Sequence, residues 1–265
     1  MKLRYLLILL LLLPACTESD AMNLCTLGGS APSGDAPTDY TAHANCMGAW
    51  FMNTSNDSET DRSGEGETLT QVDGSMPTSA TVPSGYSGTS RDFGGAETLQ
   101  HADGGSTDIS GTGGLTIAAW VNIDDDGDNV IVSKYAATDN NRQYQLLHRD
   151  TEDTVCGYIG YSTSSYCKEC ATTTTLDGEY HHIALNWDGT TLGIYVDGVL
   201  EGGGLSCSQT MNNGGQTFAI GGYSDSSAGL TGDIDEVIIF NVGMGATVIN
   251  ELMNYGIDGT KGGND

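Results

Sequence analysis

Apolar and polar residues alternate with a period of two in several short runs, which are separated by glycine-rich turns. The clearest run covers residues 115–121, where both faces are largely apolar, as is typical of an inner strand of a β-sandwich. Residues 182–187 and 192–196 alternate in the same way on either side of an Asp-Gly pair. Because Asp-Gly favours the tight turn of a hairpin, we predict two antiparallel strands here.

Two more strands are predicted at residues 218–221 and 234–240, and the one credible helix covers residues 247–253. Strands and helices do not alternate along the chain, which argues against a parallel doubly wound sheet. The pattern therefore predicts an all-β fold, with antiparallel sheets packed as a sandwich and one short C-terminal helix.

The N-terminus combines two basic residues with an apolar run over residues 5–13. This run is too short to span a bilayer and is typical of a secretion signal. Residues 13–16, with the sequence Leu-Pro-Ala-Cys, resemble the lipobox of bacterial lipoproteins. The resemblance implies a signal peptide over residues 1–15 and a lipid on Cys16. The alternative is an ordinary signal peptide, with Cys16 an incidental thiol.

Composition divides the rest of the chain into three parts. Residues 16–44 are rich in small and polar residues with few large apolar ones, which predicts a flexible tether. We expect a folded domain over residues 45–257 and a disordered tail over residues 258–265.

Charge excludes one class of partner. The 265-residue chain carries 35 acidic and 9 basic residues, with a net charge of −26. Nucleic-acid binding needs clustered Lys and Arg, so we expect no nucleic-acid partner. Anionic lipid surfaces are disfavoured for the same reason, so membrane attachment would come from the N-terminal lipid alone. We expect a monomeric lipoprotein of the cell envelope, and Thr17 after the lipid site favours the outer membrane.

The cysteines favour an oxidising compartment. With Cys16 as the lipid site, an even number remains for disulfides: Cys25, Cys46, Cys156, Cys167, Cys170 and Cys207. We predict that Cys25 pairs with Cys46, which leaves three connectivities for the other four. We favour Cys156 with Cys167, facing each other across a hairpin centred near residues 161–162, and Cys170 with Cys207. A redox motif or a four-thiolate zinc site are the alternatives.

Four segments carry a family resemblance: GLTIAAWV at 114–121, YHHIALNWDG at 180–189, IYVDG at 194–198 and GDIDEV at 232–237. In this order and spacing they resemble the laminin-G-like/concanavalin A-like jelly-roll domain of bacterial exported proteins. The resemblance implies two curved antiparallel sheets packed face to face. It does not choose a function, because this fold hosts glycan-binding modules, adhesion domains and glycosidases alike.

A glycosidase of this fold needs paired carboxylates on alternate residues of one strand. Residues 59–65 have suggestive acidic spacing, but a Ser-Gly turn interrupts them. Asp233 and Asp235 lie in a predicted strand, yet Asp235 alternates with the apolar Val237, which places it at the edge of a buried face. We therefore expect a protein without catalytic activity.

Calcium is the candidate cofactor. Oxygen-bearing side chains at alternate positions surround a glycine, as in calcium-binding loops: Asn122, Asp124, Asp126 and Asp128. Ser133 stands where a bidentate acid would complete such a loop, so a solvated acidic hairpin loop is the alternative. By resemblance to structural calcium sites of related sandwiches, Asp235 is a second candidate.

Aromatic rings offer flat apolar surfaces on which sugars stack, and four tyrosines are predicted in loops or at strand ends: Tyr158, Tyr161, Tyr166 and Tyr223. They favour a binding module that recognises a glycan or a protein at the cell surface. The alternatives are a purely structural envelope protein and a glycoside hydrolase.

Overall fold

Two antiparallel β-sheets pack face to face in the computed structural model. The structure describes residues 37–55, 58–125, 127–137, 141–173, 175, 178–226 and 228–261. The predicted signal peptide, Cys16 and Cys25 lie outside these residues.

The strands are short and follow one another along the chain. In chain order they are β1 (Cys46–Trp50), β2 (Ser58–Glu59), β3 (Leu69–Val72), β4 (Thr78–Ser79), β5 (Ser90–Gly94), β6 (Thr98–His101), β7 (Leu115–Ile123), β8 (Asn129–Ala136), β9 (Asn141–Arg149), β10 (Thr154–Ser162), β11 (Ser165–Cys170), β12 (His181–Trp187), β13 (Thr191–Val196), β14 (Val199–Leu200), β15 (Leu205–Ser206), β16 (Phe218–Ile220) and β17 (Thr231–Phe240). One helix, α1 (Gly245–Tyr255), follows the last strand. The all-β prediction and the predicted C-terminal helix are confirmed.

The first sheet, sheet A, has the strand order β14-β13-β12-β7-β17-β5-β4, with β1 also paired to β17 and β15 to β13. The second sheet, sheet B, has the order β11-β10-β9-β8-β16-β6-β3-β2. Strands that are distant in sequence, such as β7 and β17, are therefore neighbours, which is the arrangement of a jelly roll.

Alternation along the strands decides which side chains form the core between the sheets. In β7, Leu115, Ile117 and Val121 belong to this core and are almost fully buried. Trp50 of sheet A stacks on Phe218 of sheet B, with ring centroids 5.3 Å apart. Contacts of this kind bury apolar area from both sheets, which is the main source of stability in a sandwich.

The helix covers part of the outer face of sheet A. Ile249 and Leu252 of α1 pack in one cluster with Ala118, Ala184 and Ile238, which point away from the core between the sheets. The largely apolar second face of the 115–121 run is therefore explained by the helix.

The packed domain also extends beyond its predicted boundary at residue 45. Tyr40 is buried, and its backbone N–H donates to the carbonyl oxygen of Ile257 at 2.9 Å. Its ring lies edge-on to Phe240, with centroids 6.3 Å apart.

No helix in the described part of the chain is long and apolar enough to span a membrane.

The disulfides correct the favoured connectivity. Cys156 is bonded to Cys170, and Cys167 is bonded to Cys207. The hairpin of β10 and β11 pairs Ser162 with Ser165, so its turn lies two residues later than predicted. This register brings Cys156 opposite Cys170 instead of Cys167.

Cys46 is the remaining cysteine of the described residues. It is buried, forms no disulfide with another described cysteine, and its Sγ lies 3.7 Å from the carbonyl oxygen of Gly48. Because Cys25 lies outside the described residues, the pairing of Cys25 with Cys46 stays a prediction.

Candidate functional site

Tyrosine rings gather around one arginine on the outer face of sheet B. The Cζ atom of Arg142 lies 4.4 Å from the ring centroid of Tyr135, 4.8 Å from that of Tyr158 and 4.4 Å from that of Tyr166. Tyr223 lies edge-on to Tyr135, with centroids 4.9 Å apart. We call these five residues the arginine patch.

The alternation of β10 explains why Tyr158 faces outward. Val155 and Ile159 lie in the core between the sheets, so Tyr158, next to Ile159, points to the opposite face. Across the ladders, Tyr158 is paired with Gln145 of β9 and with Lys168 of β11. The side-chain oxygen of Gln145 accepts a hydrogen bond from Nε of Arg142, which fixes the guanidinium beside the ring.

The tyrosines differ in exposure. Tyr135, Tyr158 and Tyr223 are the buried members of the patch, whereas Tyr166 on the edge strand β11 is 43% exposed. Tyr166 also packs edge-on against Tyr158, with centroids 5.2 Å apart. The ring of Tyr166 and the arginine are thus the parts of the patch that a ligand would meet first.

Two further cations flank Tyr158. Nζ of Lys168 lies 5.8 Å from its ring centroid, and Arg149 acts on it electrostatically. Burial raises the pKa of the Tyr158 hydroxyl, and both cations oppose that rise. The surroundings of Tyr158 are therefore basic in a chain that is strongly acidic overall.

Both flanking cations have acidic partners. Arg149 lies 2.6 Å from a carboxylate oxygen of Asp128, and Lys168 forms a salt bridge with Glu152. The hydrogen bond from Lys168 lowers the pKa of Glu152 to about 2. Arg142 has no salt bridge with any described residue, and its Nη1 has no hydrogen-bond partner among them.

The structure brings three of the four predicted tyrosines together and leaves one apart. Tyr158, Tyr166 and Tyr223 belong to the arginine patch. Tyr161 lies near the end of β10, is 37% exposed, and makes none of the ring contacts found among the described residues. Sequence reasoning missed Arg142 and Tyr135. The available signal was the concentration of basic residues between positions 142 and 168 of an acidic chain.

The first group of candidate catalytic acids has structural partners. Glu59 is buried, with Oε2 2.8 Å from Nη2 of Arg91. Asp61 accepts hydrogen bonds from the backbone N–H groups of Ala49, Ser63, Gly66 and Glu67. Both carboxylates therefore hold the chain around β2 in place.

Asp233 and Asp235 point to the outer face of sheet A. A β-bulge at Glu236, whose φ is 49°, interrupts the alternation, so Asp235 does not share the face of Val237 as the sequence pattern predicted. Burial and the neighbouring Glu236 raise the pKa of Asp235 to about 8. Burial raises that of Asp233 to about 6. Asp235 is thus a mostly protonated carboxyl group at neutral pH.

Two further side chains follow Asp235 across the neighbouring strands of sheet A. Asp235 lies opposite Trp120 of β7, which lies opposite His182 of β12. Buried Nε1 of Trp120 and Nδ1 of His182 have no hydrogen-bond partner among the described residues. Burial also lowers the pKa of His182 to about 4, so its ring is neutral.

The predicted calcium loop is held by hydrogen bonds within the protein. Oδ1 of Asp125 accepts from the Gly127 N–H at 3.0 Å and from Nδ2 of Asn129 at 3.0 Å. Asp128 is the partner of Arg149. Asp126 lies outside the described residues, and no group of three or more His, Cys, Asp or Glu that could hold a metal occurs within them. Calcium binding at Asn122, Asp124, Asp126, Asp128 or Asp235 stays a prediction.

The sequence profile Laminin_G_3, described as the concanavalin A-like lectin/glucanases superfamily, matches residues 93–250, more than half of the chain. The chain belongs to this superfamily. The match contains strands β7 to β17 and therefore the whole arginine patch. Comparison with curated protein sequences gives no significant match.

Solved structures show the same concanavalin A-like fold at low sequence identity. Domain 4 of AbnA, an extracellular arabinanase of Geobacillus stearothermophilus solved with arabinotriose, is 14% identical, with a TM-score of 0.61 over 79% of this chain and 98% of that chain. A chain of botulinum neurotoxin type C, from a study of its interaction with two ganglioside molecules, is 12% identical, with a TM-score of 0.59 over 79% of this chain and 51% of the toxin chain.

A sialidase of Trypanosoma rangeli in complex with the inhibitor DANA is 14% identical, with a TM-score of 0.52 over 78% of this chain and 32% of that chain. The binding domain of Paraclostridial Mosquitocidal Protein 1 is 12% identical, with a TM-score of 0.59 over 79% of this chain and 52% of that chain. This chain therefore spans about half the length of the toxin chains that it matches.

Proposed function

We propose that this protein is a glycan-binding module of the cell envelope, anchored by a lipid on Cys16 and without catalytic activity. The arginine patch carries the proposal. Sugar rings stack on flat aromatic surfaces, and polar groups beside the ring orient their hydroxyls. Tyr166 offers such a surface, and Arg142 and Lys168 offer hydrogen-bond donors beside it.

The comparisons support a binding role through the architecture. Domain 4 of AbnA consists almost entirely of this fold and was solved with a bound trisaccharide. The same fold also occurs in a sialidase, so the fold does not exclude catalysis. The absence of catalysis rests on Glu59 and Asp61, which are held by Arg91 and by a turn.

Binding is tested with the full-length protein on an array of oligosaccharides, comparing Tyr166→Ala with Tyr255→Ala. Tyr255 is the matched control, because it is 47% exposed and lies on α1, away from sheet B. We expect that Tyr166→Ala lowers the affinity for every bound glycan at least tenfold and that Tyr255→Ala leaves it unchanged. Equal behaviour of the two variants, or an array without any bound glycan, would refute the proposal.

Lipid anchoring and catalysis have separate tests. Cys16→Ser should abolish metabolic labelling with a fatty acid and release the protein from membranes of its native host. An unmodified mature N-terminus in mass spectrometry would contradict the anchor.

Glycans that bind on the array should yield no new reducing ends after prolonged incubation with the protein. If the unsubstituted protein releases new reducing ends and Asp235→Asn does not, Asp235 on sheet A takes part in hydrolysis.

A further inference from the structure

We infer that the glycan bound by the arginine patch carries a carboxylate and that Arg142 binds it. The inference rests on the proposed function. Arg149 and Lys168 are paired with Asp128 and Glu152, whereas Arg142 has no salt bridge with a described residue. Among the described residues, the cations around Tyr158 therefore outnumber the carboxylates paired with them by one.

This surplus is unexpected in so acidic a chain. Only 9 of its 265 residues are Lys or Arg, against 35 Asp and Glu. Three of the nine lie around Tyr158. The field of such a protein repels anions, so an anionic ligand needs local positive charge at its site. A neutral sugar has no need of it, because hydroxyl groups find donors and acceptors in uncharged side chains.

The tyrosines prepare Arg142 for such a ligand. Its Cζ atom lies 4.4 to 4.8 Å from the centroids of three tyrosine rings, and its Nε donates a hydrogen bond to Oε1 of Gln145. These contacts with the ring faces leave Nη1 without a hydrogen-bond partner among the described residues. The in-plane N–H groups of a guanidinium match the two oxygens of a carboxylate, and this charge-assisted pair is stronger than a bond to a hydroxyl group.

Access to Nη1 requires one ring to move. Nη1 is shielded from solvent, and Tyr166 is the exposed ring over Arg142. Tyr166 lies on β11, the edge strand of sheet B. Rotation of this side chain opens the guanidinium to the ligand, and its ring then packs against the sugar.

The charge balance also limits the ligand to few charges. Asp128 and Glu152 already engage Arg149 and Lys168, so beside Arg142 no described cation around Tyr158 is left for a second anionic group. The ligand class is therefore a glycan with a single carboxylated sugar at the site, such as a uronic or sialic acid residue, and not a densely sulfated chain.

The test compares acids with their own methyl esters, which keep the sugar ring and remove the charge. The probes are 3′-sialyllactose, trigalacturonic acid and the methyl ester of each, titrated calorimetrically into the full-length protein. At least one acid should bind tenfold or more tightly than its ester. Arg142→Gln should lower the affinity for that acid to the level of the ester and leave the affinity for the ester unchanged.

Arg62→Gln is the matched control, because Arg62 also lies over an aromatic ring, at 5.1 Å from the centroid of Phe51. It should change neither affinity. If Arg142→Gln fails to fold, the salt dependence of the unsubstituted protein replaces it. Between 50 and 300 mM NaCl the affinity for the acid should fall severalfold and that for the ester should not.

The two proposals fail in different ways. Acid and ester that bind equally well, with binding lost in Tyr166→Ala, would overturn the carboxylate and leave the glycan-binding function intact. Equal losses of acid and ester in Arg142→Gln would assign Arg142 a structural role and also overturn the inference. If neither the probes nor the array give binding, the proposed function fails and the inference fails with it.

Discussion

Cys156 and Cys170 face each other across the hairpin of β10 and β11, with Cα atoms 4.0 Å apart, and are joined by a disulfide. The second disulfide, from Cys167 to Cys207, starts on the same strand β11 and joins it to the segment after β15. β11, the edge strand that carries Tyr166, is therefore covalently bonded to β10 and to the segment after β15.

The two disulfides should contribute unequally to stability. The first spans 14 residues and the second 40. Because the loop entropy removed from the unfolded chain grows with the logarithm of loop length, replacing Cys167 and Cys207 by Ser should cost about 1 kcal/mol more than replacing Cys156 and Cys170. Urea unfolding of the two matched double variants measures the difference. Peptide mapping that links Cys156 to Cys167 would contradict the connectivity itself.

The same hairpin shows how far sequence reasoning reaches. The strands of the core were predictable, because alternate apolar residues, as in the 115–121 run, must be buried on a common face. The register of β10 with β11 was not predictable in the same way. Polar residues flank its Thr163-Ser164 turn and no Asp-Gly pair marks it, so the pattern could not distinguish two turn positions.

The site depends even more on contacts between distant strands. Tyr135 and Arg142 lie on neighbouring strands, but Tyr158, Tyr166 and Tyr223 reach them only because β10, β11 and the segment after β16 take their places in sheet B. A bulge has a similarly nonlocal effect at Asp235. The positive φ of Glu236 places the carboxyl group of Asp235 on the face opposite that of Val237.

The buried carboxyl of Asp235 should lower stability as the pH rises. Burial and Glu236 raise its pKa from an ordinary value of 3.8 to about 8 in the folded protein. Between these two values the folded state binds more protons than the unfolded state. The stability that the protonated carboxyl contributes is therefore fully present below pH 4, and it decreases as the pH rises until it is lost at pH 8. Asp235→Asn removes this titration and should stabilise the protein at pH 8 by about 2 kcal/mol or more.

Melting temperatures of Asp235→Asn and the unsubstituted protein, measured from pH 4 to pH 9, test this effect. The difference should be small at pH 4 and grow up to pH 8. Asp73→Asn is the control, because Asp73 lies on an exposed loop after β3. A difference that does not depend on pH would show that Asp235 has the same protonation in both states.

His182 should have the opposite dependence. Burial lowers its pKa from 6.5 to about 4, so the unfolded state binds more protons between these values. Stability from the neutral ring is therefore present above pH 6.5 and is lost as the pH falls to 4. His182→Phe keeps a ring beside Trp120, whose centroid lies 5.3 Å away. This substitution should reduce the stability that is lost between pH 6.5 and pH 4 by roughly 1–3 kcal/mol.

Because Asp235 titrates in an overlapping range, the informative quantity is the difference between the His182→Phe variant and the unsubstituted protein at each pH. That difference should favour the variant increasingly from pH 6.5 to pH 4. A constant difference would mean that His182 has the same protonation in the folded and unfolded states.

The ion pair of Arg91 and Glu59 should show strong coupling. Both side chains are almost fully buried, and Nη2 and Oε2 are 2.8 Å apart. Nε and Nη1 of Arg91 have no hydrogen-bond partner among the described residues, so Glu59 is its principal partner. Removing one member of a buried pair leaves the other charge without compensation, which typically costs about 3–5 kcal/mol.

Glu59→Leu and Arg91→Met should each destabilise the protein by roughly this amount, whereas the two substitutions combined should cost less than either single change. The reason is that the double variant buries two apolar side chains where the singles leave one buried charge. Urea unfolding at pH 7 gives the four free energies. If the double variant loses the sum of the single losses, the two side chains act independently, and the ion pair does not hold β2 against β5.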